Sequence, residues 1–206
     1  ASARKPAFKA GLIDRYLVAA EVGGVEPIVC INKMDLVTEP LPESGVFRTL
    51  GFEVFEISCE TGVGVDSLRD RLRGKLSVLA GQSGVGKSSL LNVLDPDLRI
   101  ATQEVSDYNE KGKHTTTQSR MYFLEDAIRV IDTPGIRRLG VWGVTPEELA
   151  FYFPELIERA SGCKFRDCTH IHEPDCAVRA AVDDGEIPKR RYGSYLRLRE
   201  DLERES

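Results

Sequence analysis

At 206 residues, with 41% hydrophobic and 30% charged positions, the chain can hold one medium-sized domain plus a small appendage, and its composition is globular. A formal charge of −5 excludes a broadly basic surface and leaves any nucleic-acid contact to a local patch. No apolar run approaches the ~20 residues of a membrane span and no signal-peptide pattern opens the chain, so the reading is cytoplasmic, without membrane association.

In chain order, Phe8, Leu12, Ile13, Tyr16, Leu17 and Ala20 recur at helical spacing and predict a helix over 8–22. Short apolar runs at 27–31, 53–57 and 76–80 predict buried parallel strands, with helices over 64–74 and 86–94. Strands over 120–124 and 128–132, joined by Glu125-Asp126-Ala127, predict an antiparallel hairpin at one sheet edge. The alternation argues for an α/β domain with a parallel sheet. The polar stretch between Asp95 and Gln118 has the length of a functional loop. The character changes near 143, which divides the chain into 1–143 and 144–206. Thr145-Pro146-Glu147-Glu148 then predicts a capped helix start. Short helices and a charged helix from about 188 complete the chain. Lys189-Arg190-Arg191, Arg197 and Arg199 lie among Glu186, Glu200, Asp201, Glu203 and Glu205, so they read as a solvated face of mixed charge.

Gly81-Gln82-Ser83-Gly84-Val85-Gly86-Lys87-Ser88, followed by Ser89, stands between a predicted strand and a predicted helix, as a phosphate-binding loop requires. Its glycines let backbone N–H groups surround phosphate oxygens. Lys87 is expected to reach the β- and γ-phosphates, and the Ser88 hydroxyl to bind Mg²⁺. Asn32-Lys33-Met34-Asp35 selects guanine, because the Asp35 carboxylate can accept from N1–H and the 2-amino group, donors that adenine lacks. Lys33 would lie along the purine and Asn32 would tie the loop to the base. Ser58-Cys59-Glu60 would offer the Cys59 N–H to guanine O6. In Asp132-Thr133-Pro134-Gly135, Asp132 can hold Mg²⁺ through water and the Gly135 N–H can sense the γ-phosphate. The base-reading motifs thus precede the phosphate loop, the reverse of a Ras-like GTPase.

Cys163, Cys168, His170 and Cys176 fall within fourteen residues, with His172 as a competing ligand. Three thiolates and an imidazole match one structural Zn²⁺ and leave no open position for a catalytic water.

Four motifs in rotated order, Gly112-Lys113-His114-Thr115-Thr116-Thr117 and the Cys/His cluster together resemble the RsgA (YjeQ) family of circularly permuted GTPases. The resemblance covers nearly the whole chain. It implies a permuted P-loop GTPase domain followed by a small, mostly helical zinc-binding domain. It further implies a GTP-hydrolysing factor, monomeric by default, that acts late in maturation of the small (30S) ribosomal subunit. That factor contacts 16S rRNA and is stimulated by the subunit. The family pattern places the zinc ligand at His170 rather than His172. Family members also carry an N-terminal OB-fold, which is expected to be missing here, with residues 1–3 read as the tail of the strand leading out of it.

The resemblance and the spacing place a first switch at 102–118, with Thr116 or Thr117 completing the Mg²⁺ shell. Ile136 stands where Ras-like enzymes carry the glutamine that orients water, so unassisted GTP-to-GDP turnover is expected at or below about 10⁻⁴ s⁻¹. His114 is the candidate to orient the water, against the alternative of an exposed loop histidine without a role. Two other functions fit parts of the pattern. A small-molecule phosphotransferase would use the phosphate loop without needing Asn-Lys-x-Asp, and a non-hydrolysing GTP- and zinc-dependent RNA-binding module would tolerate Ile136.

Overall fold

The computed structural model describes residues 1–100, 119–133, 141 and 143–205. Its elements begin with α1 (Ala10–Val22), β1 (Ile28–Ile31), α2 (Pro42–Thr49), β2 (Glu53–Glu56), α3 (Val65–Leu72), β3 (Leu76–Leu79) and α4 (Lys87–Leu94). They continue with β4 (Arg120–Phe123), β5 (Arg129–Asp132), α5 (Pro154–Ala160), α6 (Ala177–Asp183) and α7 (Lys189–Glu205). No helix among the described residues is long and apolar enough to cross a membrane. The chain forms two compact units: Ala1–Lys9, Ile28–Phe47 and Glu53–Arg138 make the first, and Ala10–Pro27, Arg48–Phe52 and Leu139–Ser206 the second.

In the first unit β1 and β2 pair in parallel, Ile28 beside Glu53 through Ile31 beside Glu56. A separate three-stranded sheet has the order β3-β5-β4, with β3 parallel and β4 antiparallel to β5. The predicted hairpin is therefore present, with β4 at the edge. The parallel strands divide between two hydrogen-bonded sheets among the described residues, where the sequence suggested one. Residues 1–3 run parallel beside the end of β1: Ala3 N–H donates to Asn32 O at 2.8 Å, and Asn32 N–H to Ala1 O at 3.0 Å. Val65, Leu68 and Leu72 of α3 and Leu90, Leu91 and Leu94 of α4 recur every three or four residues and bury one face of each helix. They pack with Ile128 and Val130 into the core of this unit. Arg69 of α3 donates to the carbonyls of Leu94 and Val93 at 2.6 and 3.0 Å, placing a cation at the negative end of α4.

The second unit is held by α7, whose Tyr195, Leu198 and Leu202 form a buried stripe packed with Phe153, Leu156, Val178 and Val182. The expected capping box forms: Thr145 N–H donates to Glu148 Oε2 at 3.0 Å, and Glu148 N–H to Thr145 Oγ1 at 3.3 Å. It leads into a turn and a 3-10 segment, Leu149–Tyr152, rather than an α-helix. Pro154 ends that segment, since the residue before a proline is driven from helical geometry, and Phe153 sits at φ −122°, ψ 92°.

The basic run at the start of α7 departs from the solvated face expected of it. Arg191 is wholly buried, and Arg199 nearly so. Arg191 Nε donates to Glu155 Oε1 at 2.5 Å and its Nη1 to Asp14 Oδ1 at 2.9 Å, while Arg190 reaches Asp14 Oδ2 at 2.7 Å. The Arg191 guanidinium also lies 4.3 Å from the centre of the Phe153 ring. Arg199 donates to Pro146 O at 2.8 Å and to Glu203 at 3.0 Å. Arg190 and Arg191 thus balance Asp14 and Glu155 in charge, although Glu155 Oε2 and Arg191 Nη2 are buried without a hydrogen-bond partner among the described residues.

Removing one partner leaves a buried charge uncompensated. Asp14→Ala is therefore expected to cost about 3–5 kcal/mol in urea denaturation. Arg73→Ala, which breaks exposed pairs with Asp70 and Asp126, should cost under about 1 kcal/mol. Equal losses would contradict this account.

Candidate functional site

β3 delivers the chain into the loop of residues 81–86, and α4 begins at Lys87. Gly86 has φ +97°, and a Cβ there would come within 2.2 Å of Asn32 Nδ2, so only glycine allows both the turn and the close approach. The Lys87 ammonium folds back on the loop, donating to Gly81 O at 2.9 Å and Gln82 O at 3.3 Å. Burial lowers its pKa, while the nearby Asp132 opposes that shift. Ser88 and Ser89 are half-buried in the first turn of α4, and Val85 is buried.

Asn32 lies at the end of β1 and is almost fully buried. Its Nδ2 donates to Val85 O at 3.0 Å, and its Oδ1 accepts from Lys33 N–H at 2.7 Å and Cys59 N–H at 3.1 Å. One side chain thus joins the base-reading loop, the phosphate loop and the Ser58-Cys59-Glu60 loop. The Cys59 N–H, which the sequence reading offers to guanine O6, is engaged by Asn32. Ser58 Oγ donates to Asp35 Oδ1 at 2.5 Å and accepts from Thr61 N–H at 3.2 Å. That bond fixes the carboxylate expected to read guanine, a role that the sequence reading did not give to Ser58. Lys33, in left-handed backbone geometry at φ +65°, places its ammonium on Lys5 O at 2.6 Å.

Asp132 ends β5, beside Leu79 at the end of β3. Its Oδ1 is buried and has no hydrogen-bond partner among the described residues, as suits a carboxylate that serves a cation. Thr133 Oγ1 donates to Leu79 O at 2.8 Å and holds the strand end in place. His114, Thr116, Thr117, Gly135 and Ile136 lie outside the described residues.

The second unit brings Cys163, Cys168, His170 and Cys176 together, with their ligand atoms all within 4.8 Å of one another. The Cys163 and Cys176 sulfurs are 3.9 Å apart, and His170 Nδ1 lies 3.6 and 3.5 Å from them. Tetrahedral Zn²⁺ with its usual bond lengths requires about 3.8 Å between sulfurs and about 3.6 Å between sulfur and nitrogen. Burial, with the Cys176 and Cys163 thiols beside it, pushes the Cys168 thiol up to about 12. Thiolates crowded this closely need a cation to coexist. Burial also lowers the His170 pKa and favours the neutral imidazole that a metal takes.

The ligand loop is held by groups that the sequence reading did not single out. The Glu173 carboxylate accepts from Thr169 N–H at 2.8 Å, Thr169 Oγ1 at 2.5 Å, Ile171 N–H at 3.1 Å and His172 N–H at 3.2 Å. Burial works to raise its pKa, but these donors outweigh it and hold the carboxyl well below its usual range. The Tyr192 hydroxyl donates to His170 O at 2.6 Å and the Tyr195 hydroxyl to Thr169 O at 2.7 Å, so α7 grips the loop from one side. The available signal was the pair of tyrosines three residues apart on one helical face.

Comparison with known proteins agrees with this geometry. The RsgA GTPase family model matches residues 1–142. The small ribosomal subunit biogenesis GTPase RsgA of Geobacillus sp. (strain WCH70) is 46% identical over 206 residues, covering 98% of this chain and 70% of the relative. The crystal structure of YjeQ from Thermotoga maritima superposes with a TM-score of 0.78 at 35% identity, covering 98% of this chain and 69% of that one. The crystal structure of YloQ, described as a circularly permuted GTPase, gives 0.77 at 35% identity, with 100% and 67% covered. With the rotated motifs assembled around Asn32 and a matching family model over more than half its length, the chain belongs to the RsgA GTPase family.

Proposed function

We propose that this chain is a GTP-hydrolysing switch acting in late maturation of the small ribosomal subunit, in the cytoplasm, as a monomer that contacts 16S rRNA and is stimulated by the subunit. The relatives' name supports the subunit as partner. The observation that carries the nucleotide reading is the Asn32 side chain, which joins all three nucleotide loops.

In this reading, residues 1–143 carry the nucleotide chemistry and 144–206 the zinc site. Asp35, held by Ser58, accepts from the guanine edge, and Asn32, Lys33 and the backbone of Cys59 border the base. The N–H groups of the loop from Gly81 to Ser88, with Ser89 behind them, surround the phosphates. Lys87 leaves its carbonyl partners for the β- and γ-phosphates. Mg²⁺, when bound, neutralises phosphate charge, and Ser88, Asp132 and either Thr116 or Thr117 would hold it. Gly135 N–H would sense the γ-phosphate, and His114 would accept a hydrogen bond from the attacking water. Cys163, Cys168, His170 and Cys176 would hold one structural Zn²⁺. The orphaned Asp132 Oδ1 supports the first metal, and the spacing of the ligand atoms supports the second.

Phosphate release from GTP and ATP, with and without small ribosomal subunits, tests the function. GTP turnover near ~10⁻⁴ s⁻¹ alone and at least tenfold faster with subunits is expected, with no subunit-stimulated release from ATP. Equal use of ATP, or no stimulation, would contradict it. For the metal, Cys176→Ser should lower zinc content, read by elemental mass spectrometry, from one ion per chain to near none. It should also raise amide exchange around residues 163–176 while GDP affinity stays unchanged. Retention of a full zinc equivalent would count against this ligand set.

A further inference from the structure

Residues 1–7 reach the base-reading loop and the phosphate loop at the same time. Ser2 stands opposite Asn32 in a parallel bridge, where the Asn32 main chain is held through both its N–H and its carbonyl. The chain then turns over residues 4–7, and two carbonyls of that turn serve the nucleotide motifs. Lys5 O accepts from the Lys33 ammonium at 2.6 Å, and Ala7 O from Gln82 Nε2 at 3.4 Å. The second bond is long, so the base-reading side depends on the turn more than the phosphate side does.

One buried hydroxyl ties this turn down. Ser2 is 1% exposed, and its Oγ donates to Pro6 O at 2.8 Å, across the base of the turn. Arg4, Lys5 and Ala7 are exposed, so the turn serves the site through its backbone while their side chains stand in solvent. Lys5 also takes a left-handed backbone, φ +51°, a costly conformation for a residue other than glycine. Its carbonyl keeps one direction only while the segment around it is fixed. Among residues 1–9, Ser2 is the sole buried polar side chain available to fix it.

We propose that Ser2 is a positioning residue for guanine-nucleotide binding, acting through the turn that holds the Lys33 ammonium in place. A lysine carries its charge on a flexible four-carbon stem, and fixing that stem costs entropy. With Lys5 O held in position, the Lys33 stem is ordered before any base arrives, and binding is relieved of that loss. With the turn loosened, the nucleotide must order the stem itself. The effect falls on affinity and not on hydrolysis, since Lys33 serves the base and not the γ-phosphate. The proposal rests on the guanine-nucleotide reading above and deepens it.

Binding of a fluorescent GDP analogue to the full chain is compared between the parent and Ser2→Ala, each with and without Lys33→Met. Ser2→Ala should weaken binding about 2- to 12-fold, the equivalent of one long side chain left to be ordered. Because unassisted turnover is slow, KM for GTP tracks the dissociation constant, so Ser2→Ala should raise KM by the same factor and leave kcat unchanged. Lys33→Met keeps the stem but drops the ammonium that the turn holds. In that background Ser2→Ala should weaken binding no further. An equal penalty with and without the Lys33 ammonium overturns the proposal, because Ser2 would then act through general stability. Parent-like affinity and KM in Ser2→Ala also overturn it, while leaving the GTPase reading intact. A parent chain that binds GDP no better than ADP removes the guanine reading itself, and the proposal with it.

Discussion

A single buried amide, the side chain of Asn32, has to satisfy three separate pieces of backbone at once. Its donor goes to the phosphate loop and its acceptor to the base-reading loop and the loop after β2. Leaving any of these groups unmade in a buried site costs about 1–3 kcal/mol, so the three loops are held to one mutual geometry. Gly86 follows from the same constraint, because no side chain fits between that turn and the Asn32 amide. The connections between strands can be cut and rejoined in another order, and the site survives, because what assembles it is a contact between loop ends rather than their sequence order.

The second unit solves a different problem. Beside an apolar core built around Phe153, Leu156 and Tyr195, several of its fixed points are polar. Asp14, Glu155, Arg190 and Arg191 form a buried ionic group, and the Cys/His cluster forms another, with Tyr192 and Tyr195 of α7 reaching the cluster. Both arrangements are directional. An apolar core tolerates repacking, whereas an arginine fork between two carboxylates or four ligands around one ion accepts few alternatives. The left-handed backbone at His170 and Asp175 belongs to this pattern, since ligand geometry and the Glu173 clamp hold a loop that local preference alone would not.

Much of this was legible from residues alone, for identifiable reasons. The strands that run into Asn32, Gly81 and Thr133 were apolar runs that broke into polar motifs, and the helices α3 and α4 showed their buried stripe in the sequence. The edge hairpin was readable because three turn-compatible residues separate two short segments rich in apolar and β-branched residues. Less visible was α2, which buries only Ser44 and Phe47 and so has almost no apolar period. The burial of Arg191 was also hidden, because a charge run reads as solvated until its partners are known, and Asp14 is 177 residues away in the chain. Ser58 carried no motif letter for its role, as its bond to Asp35 depends on two loops meeting across 23 residues. The cluster of cysteines was legible from spacing, but the Glu173 and tyrosine clamps around it depend on tertiary contact.

The claim that one amide assembles the nucleotide site is open to a direct measurement. Binding of a fluorescent GDP analogue is compared between the parent chain and Asn32→Ala, with zinc content determined in the same samples. The account predicts at least a tenfold loss of affinity, about 1.4 kcal/mol or more, with zinc retained and the second unit still folded. Affinity within twofold of the parent would contradict it, because the three loops would then be held together by something other than Asn32.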